Sequence, residues 1–247
     1  MQAIQKLKKD SIQVTQPLID LLYPRRCPIC QDIAQGGELV CAKCRSKLPY
    51  VVEPVCMKCG KPIEDDTQEY CSDCERIPKH YVKGFPLYLY VDPVRDGLTA
   101  MKYHNRREYA RFYTEELRRR YGRIWTCIGF DAVIPVPVHK HKLHKRGYNQ
   151  AELLAEPIAE YLGIPMEKRR LIRVVDTSPQ KELNDIQRIN NLKKAFQMKE
   201  NGVNLKKVLL VDDIYTSGAT IEACTLAMMQ QGVREVYYTS VCIGHGY

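Results

Sequence analysis

The chain has 247 residues, more than a typical single domain, which favours a small module joined to a domain of about 150 residues. An apolar fraction of 45% excludes intrinsic disorder, and no apolar run approaches the roughly 20 residues of a membrane span. The net charge of +9 is confined to residues 97–196, which hold 20 Lys or Arg against 11 Asp or Glu. This clustering favours an anionic partner, either nucleic acid or a phosphorylated small molecule, over the alternative of a solvated basic surface.

The first predicted element is a short amphipathic helix at Leu18–Tyr23, which ends before Pro24. Its apolar stretch is interrupted by Asp20 and is too short for the core of a secretory signal. We therefore expect a cytoplasmic protein without membrane insertion.

Four CxxC pairs follow this helix, separated by 10, 11 and 11 residues. One CxxC turn brings two thiolates to one ion, and two such turns fill the four positions of tetrahedral zinc. The spacing predicts two structural zinc ions without an open position for substrate, with redox CxxC pairs as the alternative. Sequential pairing and cross-braced pairing both remain open. The predicted ligands are Cys27, Cys30, Cys41, Cys44, Cys56, Cys59, Cys71 and Cys74.

Three further cysteines, Cys127, Cys224 and Cys242, stand among apolar residues of predicted helices or strands. We expect all three to be plain core thiols. They are not counted among the metal ligands.

The rest of the chain alternates predicted strands and helices, which is the pattern of an α/β domain with a mainly parallel sheet flanked by helices. The strands are predicted at Phe85–Val91, Phe130–Val138, Leu171–Val175, Lys207–Val211 and Val236–Ile243. The helices are predicted around Leu98–Lys102 and at Glu108–Tyr121, Gln150–Leu162 and Ser217–Gln231, with a polar helix or mobile arm at Glu182–Lys194. We expect an N-terminal helix in residues 1–26, a double zinc ribbon in 27–78 and the α/β domain in 79–247.

The most informative motif is VLLVDDIYTSGAT, at Val208–Thr220. Its apolar residues predict a buried parallel strand, and Asp212 and Asp213 follow where open α/β sheets bind ligands. In the next loop, hydroxyl groups and backbone N–H groups can converge on one phosphate, and Gly218 permits a close approach. Carboxylates beside a phosphate loop suit a sugar phosphate such as phosphoribosyl pyrophosphate (PRPP). The alternatives are a Walker B strand and a phospho-acceptor pocket, but the chain has no GxxxxGK[ST] motif.

This motif resembles the PRPP-binding motif of type I phosphoribosyltransferases. From about Leu18 onward, nearly the whole chain is similar to the ComF family, which joins N-terminal zinc ribbons to such a domain. The similar segments are MKYHNRREYA at 101–110, DAVIPVPVHKHKLHKRGYNQAELLA at 131–155, and residues 173–196. The resemblance implies an α/β fold of the type I phosphoribosyltransferase kind, with a small N-terminal zinc-ribbon module.

The resemblance also implies roles for individual residues. Asp212 and Asp213 would hold the ribose hydroxyls, and the loop after FDAVIPVPV would hold the pyrophosphate with Mg²⁺, although its three histidines could instead bind metal. Arg188 lies in a segment that would close over the reacting carbon and is our candidate catalytic contact with the two acids, with a surface arginine as the alternative. The implied PRPP-binding residues are Asp212, Asp213, Thr216, Ser217, Gly218, Ala219, Thr220, Val138, His139, Lys140, Lys102 and Tyr103.

For function, the resemblance implies a DNA-uptake protein of natural transformation that handles incoming single-stranded DNA. Tyr103, Tyr109 or Tyr148 would stack on bases. Two alternatives remain open: an active phosphoribosyltransferase with an unknown acceptor, and a scaffold that docks a ComFA-like helicase with PRPP as regulator. The residues expected to bind DNA phosphates are Arg106, Arg107, Lys142, Lys145 and Arg146.

Overall fold

The computed structural model describes residues 24–34, 37–175, 194–199 and 204–244. It contains two compact units, Met1–Leu48 and Pro49–Tyr247. The helix predicted at Leu18–Tyr23 and the helix or arm predicted at Glu182–Lys194, apart from Lys194 itself, lie outside the described residues. The limits predicted for three domains, at residues 26 and 78, stay a prediction.

The described elements follow the predicted alternation of strands and helices. The first unit contains α1, Ala42–Arg45. The second unit contains, in order, α2 (Ser72–Arg76), β1 (Gly84–Leu89), α3 (Val94–Tyr103), α4 (Tyr109–Ile128), β2 (Ala132–Pro135), α5 (Lys140–Arg146), α6 (Gln150–Leu162), β3 (Leu171–Arg173), β4 (Phe196–Met198), β5 (Lys207–Tyr215), α7 (Ala219–Met229) and β6 (Glu235–Ile243).

The main sheet has four parallel strands in the order β1-β6-β5-β2. Its two central strands, β5 and β6, are apolar on both faces over most of their length, as parallel strands covered by helices require. The predicted α/β class with a mainly parallel sheet is therefore confirmed. A separate antiparallel pair joins β3 to β4, with Leu171 opposite Met198.

The ends of several elements differ from the prediction, for identifiable reasons. β2 stops at Pro135 instead of continuing to Val138, because Pro135 and Pro137 lack the N–H groups that would extend the ladder. β5 is longer than expected and runs through both acidic residues to Tyr215, because β6 pairs with it as far as Ile243. The short strand β4 was not predicted.

The core of the second unit combines residues of the sheet with the second group of cysteines. Ile134, Leu210 and Tyr238 from three strands belong to the same buried cluster as Cys59 and Cys74. The segment that carries the second group of cysteines, residues 56–74, therefore packs into the core of the second unit. Over the part of the chain that the structure describes, no helix combines the length and apolar character needed to cross a membrane.

Candidate functional site

The eight predicted metal ligands form two groups of four, and each group follows chain order. In both groups the four sulfur atoms lie within 4.8 Å of one another. The Sγ atoms of Cys30 and Cys41 are 3.8 Å apart, and those of Cys59 and Cys71 are 3.6 Å apart. Tetrahedral zinc with bonds of about 2.3 Å places its sulfurs about 3.8 Å apart, so both groups fit structural zinc. The pairing is sequential, and the cross-braced alternative is wrong.

The two cysteine groups differ in their surroundings. We call Cys27, Cys30, Cys41 and Cys44 the first tetrad, and Cys56, Cys59, Cys71 and Cys74 the second tetrad. In the first tetrad Cys30 is exposed and Cys41 half-buried, whereas all four residues of the second tetrad are buried. In the segment of the second tetrad, Lys61 and Asp73 form an ion pair of 2.6 Å.

The three cysteines outside the tetrads are divided by the structure. Cys224 and Cys242 are buried, as expected for core thiols. The expectation was wrong for Cys127, which is exposed on the last turn of α4. The reason is the helical period, which turns the neighbouring Trp125 into the core and Cys127 away from it.

The two adjacent acids lie beyond the end of β2, the edge strand that pairs with β5. β2 ends at Pro135, opposite Val211, so Asp212 and Asp213 on β5 have no neighbour from β2. Because successive strand residues point to opposite faces, Asp213 is buried while Asp212 is half-buried. This is the carboxyl edge of the sheet on the β2 side, where ligands bind in open α/β folds.

The acids form an electrostatic unit with a lysine from α3. Lys102 Nζ lies 2.5 Å from Asp213 Oδ2, and both side chains are largely buried. Burial disfavours the charged lysine, but the charges of Asp213 and Asp212 outweigh burial and raise the pKa of Lys102. Burial, and then the charge of Asp213, raises the pKa of Asp212 well above its ordinary value. The unit thus holds one carboxylate that is paired with Lys102 and one that resists ionisation.

The predicted phosphate loop, Thr216–Thr220, comprises the three residues between β5 and α7 and the first two residues of α7. Gly218 is buried, has a φ of +75° and precedes the first residue of α7, Ala219. Thr216 is exposed, and Ser217 and Thr220 are half-buried. The loop therefore brings hydroxyl groups and the N-terminus of an 11-residue helix together at the same sheet edge as the acids.

The predicted pyrophosphate loop is folded as a short helix over part of its length. Val138 and His139 are half-buried and stay outside it, while Lys140 begins α5. The His139 side chain accepts a hydrogen bond from the backbone N–H of His141, and Gly147 ends the helix in the left-handed conformation. These two end signals explain the helix where a loop was expected.

A pocket of about 550 Å³ lies beside this helix and shares one residue with the acidic site. Lys102, the partner of Asp213, also lines the pocket. Of the five residues predicted to bind nucleic acid, four line it; Arg106 does not and is paired with Glu108 at 3.6 Å. The lining residues are Lys102, Tyr103, Asn105, Arg107, Lys142, Lys145, Arg146 and Tyr148.

Two arginines of this basic pocket lie over tyrosine rings. The Arg146 guanidinium is 4.8 Å from the ring centre of Tyr103, and that of Arg107 is 4.2 Å from Tyr148. Tyr103 is 63% exposed, whereas Tyr109 and Tyr148 are buried. The hydroxyl of Tyr148 donates to the carbonyl oxygen of Met101. Of the three tyrosines that we expected to stack on bases, only Tyr103 presents its ring.

Three residues that support the site were not among the predicted site residues. The Asn149 amide donates to the carbonyl of Val136 at 3.0 Å, and its oxygen accepts from the N–H of Ala151 at 3.1 Å. Gln150 accepts a hydrogen bond from Arg146 at 3.1 Å. The Tyr215 ring lies against the phosphate loop. Only Asn149 carried a local signal, because asparagine before a helix is a common cap.

The predicted catalytic contact Arg188 lies outside the described residues.

Comparisons with known proteins give matches to both parts of the chain. The family model described as a double zinc ribbon domain matches residues 18–75. Competence protein F of Haemophilus influenzae is 29% identical over 85% of this chain and 93% of its own length. Competence protein ComFC of Bacillus subtilis is 27% identical over 81% of this chain and 82% of its own length. A crystal structure of adenine phosphoribosyltransferase matches 57% of this chain and 73% of its own, with 11% identity and a TM-score of 0.37.

Proposed function

The chain belongs to the ComF family, and on that premise we propose that it is a DNA-uptake protein of natural transformation. In this proposal it acts in the cytoplasm, handles incoming single-stranded DNA and binds PRPP with Mg²⁺. The observation that carries the proposal is the position of Lys102, which lies in the basic pocket and pairs with Asp213 of the acidic site. In this proposal Lys102 links the groups that bind a ribose with those that bind a nucleic-acid backbone.

PRPP binding is supported by the chemistry at the edge of the sheet. Asp212 and Asp213 accept hydrogen bonds from the two ribose hydroxyls, and the loop Thr216–Thr220 binds the 5′-phosphate through hydroxyl and backbone N–H groups. Val138, His139 and Lys140 supply backbone donors and a cation for the diphosphate. Mg²⁺, when bound, would neutralise part of the diphosphate charge.

Single-stranded DNA binding is supported by the basic pocket. Its cations bind backbone phosphates and release counterions, which makes the affinity dependent on salt. Tyr103 offers an exposed ring for base stacking, held in place by Arg146, whose guanidinium donates to the Tyr103 hydroxyl at 3.1 Å. Such a surface binds strands without sequence preference. Arg106 adds a cation outside the pocket itself.

The zinc tetrads have structural roles in this proposal, and the first tetrad is also suited to docking a partner protein. Its cysteines belong to a separate compact unit, in which Cys30 is exposed. We assign docking of a ComFA-like DNA-uptake helicase to this unit. The alternative of an active phosphoribosyltransferase is carried by the acids and the phosphate loop, with Arg188 as the contact that would cover the reacting carbon.

The test is a titration of zinc-loaded protein with fluorescent single-stranded DNA at several salt concentrations, with and without PRPP and Mg²⁺, beside direct calorimetry of PRPP binding. We expect a steep salt dependence for DNA, and loss of PRPP binding in the double variant Asp212→Ala, Asp213→Ala. A matched control is Asp65→Ala, Asp66→Ala, which removes two adjacent exposed acids. Absence of DNA binding at low salt would reject the DNA-handling role. Release of pyrophosphate on adding an acceptor would favour the enzyme.

A further inference from the structure

We infer that the second tetrad positions the phosphate loop through three buried tyrosines, so that metal loading of this tetrad controls phosphate binding. The three residues are Tyr81, Tyr215 and Tyr238, and we call them the tyrosine cluster. The inference deepens the proposed function, because the loop is the proposed site of the 5′-phosphate. It assigns Tyr215 and Tyr238 as positioning residues, neither of which was among the predicted site residues.

The first step leads from the second tetrad to β6. The Tyr238 hydroxyl donates a hydrogen bond of 2.8 Å to the backbone carbonyl of Cys59. Tyr238 is fully buried, and a β-carbon at Gly84 would lie 2.3 Å from its ring, so only glycine leaves room for the ring there. The knuckle that carries Cys59 therefore fixes the position of Tyr238.

The second step leads from β6 to the end of β5. The rings of Tyr238 and Tyr215 are stacked, with centres 4.9 Å apart and an angle of 8° between their planes. Tyr81 packs its edge against Tyr238 at 5.1 Å, and its hydroxyl lies 2.8 Å from that of Tyr215. Since all three rings are buried in a close-packed core, none can change rotamer without displacing the others.

The third step leads from Tyr215 into the phosphate loop. Tyr215 is the last residue of β5, and a β-carbon at Gly218 would lie 2.2 Å from its hydroxyl oxygen. The chain at Gly218 therefore passes directly over the edge of this ring. Gly218 also caps α7, whose backbone N–H groups point toward the proposed phosphate. The position of the ring thus sets the position of these donors.

This path assigns different roles to the two tetrads. The second tetrad shares a core with the tyrosine cluster, whereas the first tetrad belongs to the other compact unit. A loss of metal that loosens the Cys59 knuckle is therefore transmitted to Tyr238, Tyr215 and the loop. A loss of metal from the first tetrad is not transmitted by this path.

The test is hydrogen–deuterium exchange of the full-length, ligand-free protein, read by mass spectrometry at residues 216–222. We expect Tyr238→Phe to speed exchange in this segment and to weaken PRPP binding, each about fivefold, as the loss of one buried hydrogen bond predicts. The matched control is Tyr237→Phe, which removes the hydroxyl that bonds to Glu235 at 3.1 Å and should change neither quantity. Salt-dependent DNA binding should be unchanged in both variants.

Metal dependence is tested in the same way with Cys71→Ser and, as its counterpart in the first tetrad, Cys41→Ser. We expect faster exchange at residues 216–222 in Cys71→Ser but not in Cys41→Ser. If Cys71→Ser does not fold, the exchange measured in Tyr238→Phe decides whether the inference holds. Unchanged exchange in folded Cys71→Ser or in Tyr238→Phe would overturn the inference. If exchange changes as expected while wild-type protein binds no PRPP, the second tetrad still positions the loop, but the proposed PRPP site and its control by metal both fail.

Discussion

Lys102 Nζ lies 2.5 Å from Asp213 Oδ2, and this contact joins two parts of the chain that no local motif relates. Lys102 is the penultimate residue of α3, and Asp213 belongs to the central strand β5. Each side chain is less than one-fifth exposed, so the ion pair is poorly screened by solvent. The acidic site is therefore held together by a cation that also belongs to the basic pocket.

Lys102→Met should lower the free energy of unfolding by about 3 kcal/mol at neutral pH, because it leaves the buried Asp213 carboxylate without its partner. Urea unfolding at neutral pH measures the loss. The control is Lys168→Met, which breaks an ion pair with Glu152 in which the lysine is 54% exposed and which should cost less than about 1 kcal/mol. Equal losses in the two variants would contradict the assignment.

Asp212→Asn should raise stability at neutral pH and weaken PRPP binding. Because the pKa of Asp212 is raised in the folded protein, the folded state binds more protons than the unfolded state at a pH just above the ordinary aspartate value. Stability therefore falls as the pH rises through this window, and asparagine removes the fall. Unfolding of both proteins as a function of pH measures the difference. Hydrogen bonds from Thr67 lower the pKa of Asp65, so Asp65→Asn should act in the opposite direction.

Gly218→Ala should abolish PRPP binding and destabilise the protein more than Gly163→Ala. Both glycines have a positive φ, which costs an alanine about 1–2 kcal/mol. A β-carbon at Gly163 meets no atom within 4 Å, whereas one at Gly218 meets the Tyr215 hydroxyl at 2.2 Å. The difference in stability between the two variants, measured by thermal unfolding, reports the contribution of the contact between the loop and the Tyr215 ring. Similar losses would mean that the loop moves away from Tyr215 without cost.

Tyr103→Ala should weaken single-stranded DNA binding by about 1–3 kcal/mol without changing the salt dependence, because a base loses a stacking partner while no charge is removed. Fluorescence anisotropy with an oligothymidine at two salt concentrations gives both quantities. Tyr103→Phe keeps the ring and loses only the hydrogen bond from Arg146, so it should bind more tightly than Tyr103→Ala. The control is Tyr161→Ala, which removes a 42% exposed ring below Arg118, at 5.4 Å, away from the pocket. Equal effects at the two positions would remove Tyr103 from the DNA site.

Local patterns were sufficient for most of the fold. The apolar run before Asp212 predicted β5, and the spacing of the CxxC pairs predicted both tetrads. The helix Gln150–Leu162 was predicted to its observed limits, because Asn149 and Gly163 mark its ends. These features depend on residues that are close in sequence.

Contacts between distant segments were not predictable in this way. β4 has three residues and exists because it pairs with β3, which no local period reveals. The spacing of the second tetrad gave its ligands but not its burial beside Tyr238. The roles of the site residues therefore remain predictions from sequence motifs. The structure adds the contacts of Lys102 and Tyr215 that connect these residues.

The parallel pairing of β1 with β6 has a consequence for synthesis on the ribosome. β1 has β6 as its one neighbour in the described four-stranded sheet, and about 150 residues separate the two in the chain. At about 5–20 residues per second, β6 is synthesised on the order of ten seconds after β1. The cysteines of the second tetrad are all synthesised before β1, whereas the carbonyl of Cys59 can accept its hydrogen bond from Tyr238 only after β6 has been synthesised. Metal capture can thus precede closure of the sheet during synthesis.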